Sequence, residues 1–170
     1  MCDNPLIYRT ISSYLSHKNI LISSKNDVHQ IVIKIYENEK YIYIDIDEDK
    51  IELSLPVDIN TVASQVLKKL IDLHFSIDGF KYYPFQRLIG NKNKKSLLSD
   101  IQNIIMTTLL TSKKGVDKDV LYQSIWKKDK LIFINKLDTH LTNLKKKLKH
   151  DLDIKVNFQS HKKNLRLLID

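Results

Sequence analysis

Cysteine, glycine and long apolar runs are all scarce in this 170-residue sequence. The single cysteine, Cys2, excludes a disulfide framework and a thiolate metal cluster. With three glycines in the whole chain, a glycine-rich loop that cradles phosphates is not expected. No apolar run has the length of a membrane span, and the first fifteen residues lack the apolar core of a signal peptide. We therefore expect a cytoplasmic protein that does not contact a membrane.

Sequence patterns for catalysis and metal binding are also missing. Asp45, Asp47 and Asp49 alternate as in a calcium loop, but Lys50 stands where that loop needs glycine and Pro56 where it needs glutamate. The histidines have no spacing typical of metal ligands. No nucleophile elbow and no Ser-His-Asp order occurs. The sequence thus predicts a protein that is not an enzyme and that uses no cofactor and no metal.

Positive charge is concentrated in the second half of the chain. Residues 1–90 hold 10 basic and 12 acidic residues, a balance of −2. Residues 91–170 hold 18 basic and 8 acidic residues, a balance of +10. Such an asymmetry indicates a polyanion-binding module joined to a second domain. The alternative is a general abundance of lysine, which leaves the acidic first half unexplained.

Residues 1–75 form the first predicted domain. Apolar residues at helical spacing over 6–15 predict a helix after a proline, and residues 19–23 predict a short strand. Asp58 is placed to cap a further helix that ends near His74. Between these helices, a period of two predicts an antiparallel meander with strands over residues 31–36, 41–46 and 51–55.

Residues 76–170 form the second predicted domain. It opens with an aromatic-rich stretch, which we interpret as strands or an ordered connection. Ser99 and Gln102 form a capping box that begins one helix, and Asp117 caps a second. The apolar faces expected for these two helices are Ile101, Ile104, Ile105 and Leu109 for the first, and Val120, Leu121, Ile125 and Trp126 for the second.

A third helix and a hairpin complete this domain. The helix is predicted over residues 135–150, where the stripe of core residues is Leu137, Leu141, Leu144 and Leu148. Extended runs over 154–158 and 164–169 predict a terminal β-hairpin. Three helices followed by a hairpin are the order of a winged helix-turn-helix. The whole chain is therefore expected to have a mixed α+β fold, with the two domains packed together.

Several motifs of the second domain match one family pattern. The run from Leu137 to Leu148 reads Leu-Asp-Thr-His-Leu-Thr-Asn-Leu-Lys-Lys-Lys-Leu, against Val-Asp-x-His-Ile-x-x-Leu-Arg-x-Lys-Leu in the family. The other matches are the Trp126 helix, the Leu98-Ser99-Asp100 opening and the closing Asn164-Leu165-Arg166-Leu167 strand. On these residues the domain resembles the DNA-binding effector domain of bacterial OmpR/PhoB response regulators. Asn164 replaces the family's wing glycine, and we expect it to take the left-handed turn conformation.

The end of the first domain has a weaker resemblance to a receiver domain. Leu55-Pro56-Val57-Asp58, followed by a helix, is similar to a receiver's last strand and final helix, with Leu55 in place of lysine. The acidic pair of a receiver has no counterpart in the sequence. The resemblance implies a small, truncated α/β receiver-like domain that does not accept phosphate. We expect this domain to mediate a homodimer.

The leucine stripe determines which residues of the third helix can face DNA. Opposite the stripe, the periodicity places Asn135, Thr139, Thr142 and Lys146. The resemblance implies contacts from this helix and from the wing around His161, with His140 and Lys145 toward the flanks of the helix. The full set of candidate DNA-binding residues is Asn135, Lys136, Thr139, His140, Thr142, Asn143, Lys145, Lys146, Lys147, His161, Lys162 and Lys163.

The chemistry of these side chains predicts how DNA would be recognised. Lysines are flexible point charges that suit phosphates, whereas Asn143 can make a bidentate contact to adenine. Because guanine-reading arginines are absent from these positions, we expect a site rich in A and T. The sequence thus predicts a phosphorylation-independent transcriptional regulator that binds double-stranded DNA as a homodimer, with RNA polymerase as a further candidate partner.

Two alternative functions stay open at this point. In the first, the winged helix binds a protein such as RNA polymerase instead of DNA, and the acidic residues 45–52 contact a basic partner. In the second, the partner is RNA, although the aromatic motifs of an RRM and the glycine loop of a KH domain are missing.

Overall fold

The computed structural model of the chain describes residues 5–16, 33–46, 49–112, 114–127, 129 and 131–169. Within these residues, five α-helices and three antiparallel sheets form a mixed fold, which confirms the predicted α+β class. The chain divides into two compact units, Met1–Leu73 and His74–Asp170. Among the described helices, none is both long enough and apolar enough to cross a membrane.

The first unit contains two helices and a three-stranded meander. Its elements are α1 (Pro5–Ser16), β1 (Ile33–Glu37), β2 (Tyr41–Ile46), β3 (Asp49–Ser54) and α2 (Ile59–Asp72). The sheet has the order β1-β2-β3, and both strand pairs are antiparallel. These elements confirm the predicted meander and both predicted helices, with α2 ending two residues before His74. The strand predicted over residues 19–23 and the first residues of the one predicted over 31–36 lie outside the described part of the chain.

Alternation of side chains along β2 produces the core of this unit. Ile42, Ile44 and Ile46 are buried on one face of the sheet, and α2 contributes a second set of buried residues, Val62, Ala63, Val66 and Leu70. The carboxylate of Asp58 accepts hydrogen bonds from the backbone nitrogens of Asn60 at 3.1 Å and Thr61 at 3.2 Å. It therefore caps α2 as predicted, an interaction worth about 1 kcal/mol.

The strand pairing of the first unit differs from the receiver-like α/β arrangement that the resemblance implies. A receiver has a doubly wound parallel sheet, and parallel neighbours need long crossover connections. In residues 33–46 and 49–54, both strand pairs are antiparallel, and three residues connect β1 to β2. So short a connection can form only a hairpin. The α/β description of this unit is therefore corrected to a meander flanked by helices.

The second unit begins with a four-stranded antiparallel sheet. Its strands are β4 (Phe75–Ile77), β5 (Phe80–Tyr83), β6 (Leu88–Gly90) and β7 (Lys95–Leu97), in that spatial order. The aromatic-rich stretch is thus mostly strand, with one 3-10 turn at Pro84–Gln86. Buried Ile77, Tyr82 and Ile89 join this sheet to the core of the unit.

The helices and a second sheet follow this first sheet. The elements are α3 (Asp100–Thr111), β8 (Val116–Asp117), α4 (Lys118–Ile125), α5 (Ile134–Leu152), β9 (Val156–His161) and β10 (Asn164–Ile169), and the sheet order is β8-β10-β9. The capping box of Ser99 and Gln102 and the cap by Asp117 are both present, which confirms the predicted starts of α3 and α4. The terminal hairpin is confirmed as well, whereas the short strand β8 was not predicted.

The buried faces of α3 and α4 are rotated from those predicted. Val120 is 38% exposed, whereas Tyr122 is 1% exposed and packs its ring on Trp126 at 4.6 Å. In α3, the buried residues include Met106 and Thr108, while Ile101 and Ile104 are only half-buried. The reason is that α3 contacts three elements, α4, α5 and β10. The side of α3 that faces the core is therefore wider than the apolar stripe in its sequence, and its centre is shifted from that stripe.

Candidate nucleic-acid interface

The orientation of α5 follows from its leucines. The buried residues of this helix are Leu137, Leu141, Leu144, Leu148 and Leu152, which confirms the predicted core stripe. Asn135, Thr139, Thr142, Asn143 and Lys146 are all exposed. The side of α5 opposite the core therefore presents amide, hydroxyl and ammonium groups to solvent.

The hairpin of β9 and β10 ends in a two-residue turn formed by lysines. Lys162 and Lys163 have φ angles of 45° and 69°, the left-handed values of a type I′ turn. Asn164 is not in the left-handed region, so the predicted conformation is wrong for this residue. It is the first residue of β10, and its side-chain amide donates to the carbonyl of Lys114 at 3.1 Å. The turn projects His161 and Lys162 as exposed side chains.

Lys163 at the same tip is held against α4. Its Nζ donates to the Asp119 carboxylate at 2.6 Å, and its carbonyl accepts from the Lys118 backbone nitrogen at 2.9 Å. The hydrogen bond to Asp119 raises the pKa of the Lys163 ammonium above its ordinary value. Lys163 thus connects the tip of the hairpin to the start of α4.

Two of the candidate lysines on α5 have partners inside the unit. Lys136 Nζ lies 3.1 Å from the carboxylate of Asp129 and 4.3 Å from the ring centroid of Trp126. Lys147 Nζ lies 2.7 Å from the carboxylate of Asp151. Both side chains are half-buried. Their part in DNA binding stays a prediction. Lys136 also joins the preceding connection to α5 through Asp129, whereas Lys147 pairs within α5.

His140 and Lys145 lie on the flanks of α5, as the periodicity predicts. The half-buried ring of His140 packs on Trp126, with 5.4 Å between ring centroids. Lys145 is exposed, and its Nζ lies 3.4 Å from the side-chain oxygen of Asn157 in β9. Lys145 therefore stays near the hairpin, while His140 contributes to the packing between α4 and α5.

The two threonines of the outer face have already used their hydroxyl protons. Thr139 Oγ1 donates to the carbonyl of Asn135 at 2.8 Å, and Thr142 Oγ1 donates to the carbonyl of Asp138 at 2.9 Å. Each threonine can still accept a hydrogen bond and present its methyl group. By contrast, the side chains of Asn143 and Lys146 have no hydrogen-bond or ion-pair partner among the described residues, so both are available to a ligand.

Sequence spacing did not reveal the contacts that order the connection between α4 and α5. The buried Tyr122 donates its hydroxyl to the Asp129 carboxylate at 2.6 Å, and Lys136 binds the same oxygen. Burial raises the pKa of Tyr122, and the hydrogen bond to Asp129 raises it further. The hydrogen bonds from Tyr122 and Lys136 lower the pKa of Asp129. The only sequence signal for these contacts was the position of Tyr122 within the apolar segment of α4.

The same connection exposes apolar side chains just before α5. Leu131 is 67% exposed, Ile132 is 39% exposed and Phe133 is 55% exposed. Three adjacent exposed apolar residues are a feature of protein-binding surfaces.

Asp151 joins the end of α5 to β7 and makes stability depend on pH. Its carboxylate hydrogen-bonds with His150 at 2.9 Å, Lys147 at 2.7 Å and Ser96 at 2.6 Å, which together hold its pKa well below the usual range. A lowered pKa contributes stability above the pKa of the unfolded chain, and this contribution is lost as the pH falls.

We therefore expect the urea midpoint of the second unit to decrease as the pH is lowered below about 4. The Asp151→Asn variant should have a lower midpoint at pH 7 and a weaker decrease between pH 7 and pH 3. Asn replacement of Asp78, an exposed turn residue, is the matched control and should behave like the wild type. A wild type and an Asp151→Asn variant with identical pH profiles would contradict this role.

No protein-family model matches the sequence, and a search of curated proteins gives no match.

Proposed function

We propose that the second unit is a winged helix-turn-helix that binds double-stranded DNA, and that the protein is a phosphorylation-independent transcriptional regulator. One observation carries the proposal: α5 buries its leucines and exposes the side chains of Asn143 and Lys146, and the hairpin that follows α5 has an exposed Lys162 at its tip. A helix with this orientation can enter the major groove while a flanking hairpin reaches the adjacent backbone or minor groove. The basic balance of residues 91–170 supports a polyanionic partner.

The side chains of the outer face divide into base-reading and phosphate-binding groups. The Asn143 amide can bind N6 and N7 of adenine, and the methyl groups of Thr139 and Thr142 can contact thymine. Lys145, Lys146 and Lys162 are exposed and suit phosphates. Since Lys136, Lys147 and Lys163 form ion pairs within the unit, three lysines without an ion pair among the described residues remain as phosphate contacts in this set. The expected slope of log affinity against log salt is therefore about −3 for these contacts.

Substitutions of Asn143 and Lys146 should have different effects on DNA binding. We expect Asn143→Ala to reduce the preference for a selected A/T-rich site over random DNA by about tenfold, because only a base contact is lost. We expect Lys146→Ala to weaken binding to both DNAs alike and to make the salt slope shallower by about 1. Fluorescence anisotropy with the selected and random duplexes at several salt concentrations measures both quantities.

The control is Lys68→Ala, which removes an exposed lysine from α2 in the first unit. It should leave both affinities unchanged. Wild-type protein that binds neither duplex at low salt, or binds without any salt dependence, would overturn the proposal. We also propose that the first unit mediates a homodimer, and gel filtration tests this. Elution at the volume of a monomer would contradict it.

A second candidate function is binding of a protein partner such as RNA polymerase. The exposed side chains of Leu131, Ile132 and Phe133 favour it, because they lie together immediately before α5. Phe133→Ser should weaken binding to the polymerase in a pull-down assay while leaving the anisotropy of DNA binding unchanged. Retention on the polymerase by a protein that binds no DNA would favour this function over the first.

A further inference from the structure

The turn between β6 and β7, together with the first residue of β7, carries a cluster of exposed positive charge. Lys92, Lys94 and Lys95 are all exposed, and none has an ion-pair partner among the described residues. We call them the turn lysines. They lie outside the set of candidate DNA-binding residues on α5 and the hairpin. Like charges that are held close together repel each other, and a bound polyanion relieves this repulsion.

The backbone of this turn is ordered by its own hydrogen bonds. The side-chain oxygen of Asn91 accepts from the backbone nitrogens of Asn93 and Lys94, both at 2.9 Å. Gly90 permits the chain to close, because a Cβ atom there would lie 2.8 Å from the carbonyl oxygen of Lys94. The turn lysines are therefore presented on a defined backbone, which reduces the entropy lost on binding.

A half-buried hydrogen bond joins β7, directly after the turn lysines, to the end of α5. Ser96 in β7 is 5% exposed, and its hydroxyl donates to the Asp151 carboxylate at 2.6 Å. Lys94 and Lys95 directly precede this serine. Also at the end of α5, Lys149 forms an ion pair with Asp153. The pKa of Asp153 is lowered first by the hydrogen bond from Lys149 and then by the charges of Lys149, Lys94 and Lys155.

The last turns of α5 continue the helix that carries the candidate DNA-binding residues. From Asn143 to Leu152 the helix advances about 13 Å, which is close to the width of the major groove, about 12 Å. If the middle of α5 lies in the groove, the end of α5 reaches its rim, where the phosphate backbone runs. The turn lysines would then lie over the flanking phosphates, and lysine suits phosphate as a point charge.

We propose that Lys92, Lys94 and Lys95 form a second phosphate-binding surface, which contacts the DNA backbone beside the groove occupied by α5. This inference rests on the proposed function of the second unit. Lys149, in the last turn of α5, has a different role, because its positive charge interacts favourably with the carbonyl end of the helix dipole. This role does not account for the turn lysines, which belong to another element and are separately ordered by Asn91.

The test compares two duplexes of different length with one triple variant, Lys92→Gln with Lys94→Gln and Lys95→Gln. The duplexes share one A/T-rich core, and their lengths are roughly 12 and roughly 24 base pairs, about one and two helical turns. Wild-type protein should bind the longer duplex about tenfold more tightly than the shorter one. The triple variant should lose this advantage, and its salt slope on the longer duplex should be shallower by about 3.

Two controls make the result specific to the turn. Lys34→Gln with Lys40→Gln and Lys50→Gln removes the same charge from exposed positions of the first unit and should retain the advantage of the longer duplex. Uncharged methylphosphonates in place of the flanking phosphates should weaken the binding of the wild type but not that of the triple variant. The second comparison keeps the inference testable if the triple variant has a lower melting temperature.

The possible outcomes separate this inference from the proposed function. Wild-type protein that binds neither duplex overturns the proposed function. Wild-type protein that binds both duplexes, together with a triple variant that keeps the length advantage and the salt slope, overturns the second surface alone. An equal loss in the triple variant and in its first-unit control would also overturn it, because the effect would then come from net charge.

Discussion

Gly115→Ala is expected to destabilise the second unit by about 3 kcal/mol. Gly115 has a φ of 85°, where an L side chain is strained, and it lies directly against β10. A Cβ atom at this position would be 2.1 Å from Asn164 Oδ1, 2.6 Å from Arg166 Cγ and 2.9 Å from the carbonyl oxygen of Leu165. Because one of these atoms belongs to the backbone of a paired strand, the overlap is relieved only by moving β8 away from β10.

This displacement would also affect the hairpin that is proposed to flank DNA. The carbonyl of the preceding residue, Lys114, accepts hydrogen bonds from Asn164 Nδ2 and Arg166 Nε, both at 3.1 Å. We therefore expect Gly115→Ala to lower the affinity for DNA in addition to the stability. Urea denaturation followed by circular dichroism measures the change in the free energy of unfolding.

Gly79→Ala is the matched control for backbone conformation. Gly79 has a φ of 73°, but a Cβ atom there would meet nothing within 4 Å. Its substitution should cost about 1 kcal/mol, the strain of the left-handed conformation without any overlap. Equal destabilisation by the two substitutions would show that contact with β10 contributes nothing at Gly115.

Tyr82→Phe is expected to destabilise the second unit by about 2 kcal/mol. Tyr82 is 0% exposed, and its hydroxyl joins β5 to α3. The hydroxyl oxygen lies 2.7 Å from Asn103 Oδ1, 3.0 Å from the Asn103 carbonyl and 2.7 Å from Thr107 Oγ1. Phenylalanine keeps the ring but leaves these half-buried polar groups of α3 without the tyrosine hydroxyl, and that loss is larger than that of an exposed hydrogen bond.

The same hydroxyl predicts a loss of stability in alkali. Burial raises the pKa of Tyr82 above its ordinary value of 10.0, so the folded state retains a proton that the unfolded chain releases. Stability from this group is complete below pH 10 and decreases as the pH rises above it. The decrease should be smaller in Tyr82→Phe. Tyr83→Phe, one residue along the strand and only half-buried, is the control and should change neither the midpoint nor the pH profile.

Local interactions explain why so many elements were predictable. Asp58, Ser99 and Asp117 cap helices by binding backbone nitrogens two or three residues ahead, so the information lies within one short stretch of sequence. The leucines of α5 follow the helical period for the same reason. The meander was predictable because its turns are short and its isoleucines alternate.

Packing explains where the predictions were wrong. Val120 was expected in the core, yet Tyr122 takes that place because its long side chain reaches both Trp126 and Asp129. The expected left-handed residue of the hairpin was Asn164, but the register places the turn at Lys162 and Lys163. The pairing of β9 with β10 determines this register, and the sequence of one strand alone does not specify it.

The α+β class, the helix starts and the face of α5 that points away from the core were determined by the sequence alone, because each depends on residues within a few positions of one another. Only the tertiary structure decided which lysines are free. Lys136 has a partner on a preceding loop, and Lys147 shares Asp151 with Ser96, a residue 55 positions away from that aspartate. The position of a lysine in the sequence is the same whether its side chain is paired or free. Its availability depends on which distant segment folds next to it.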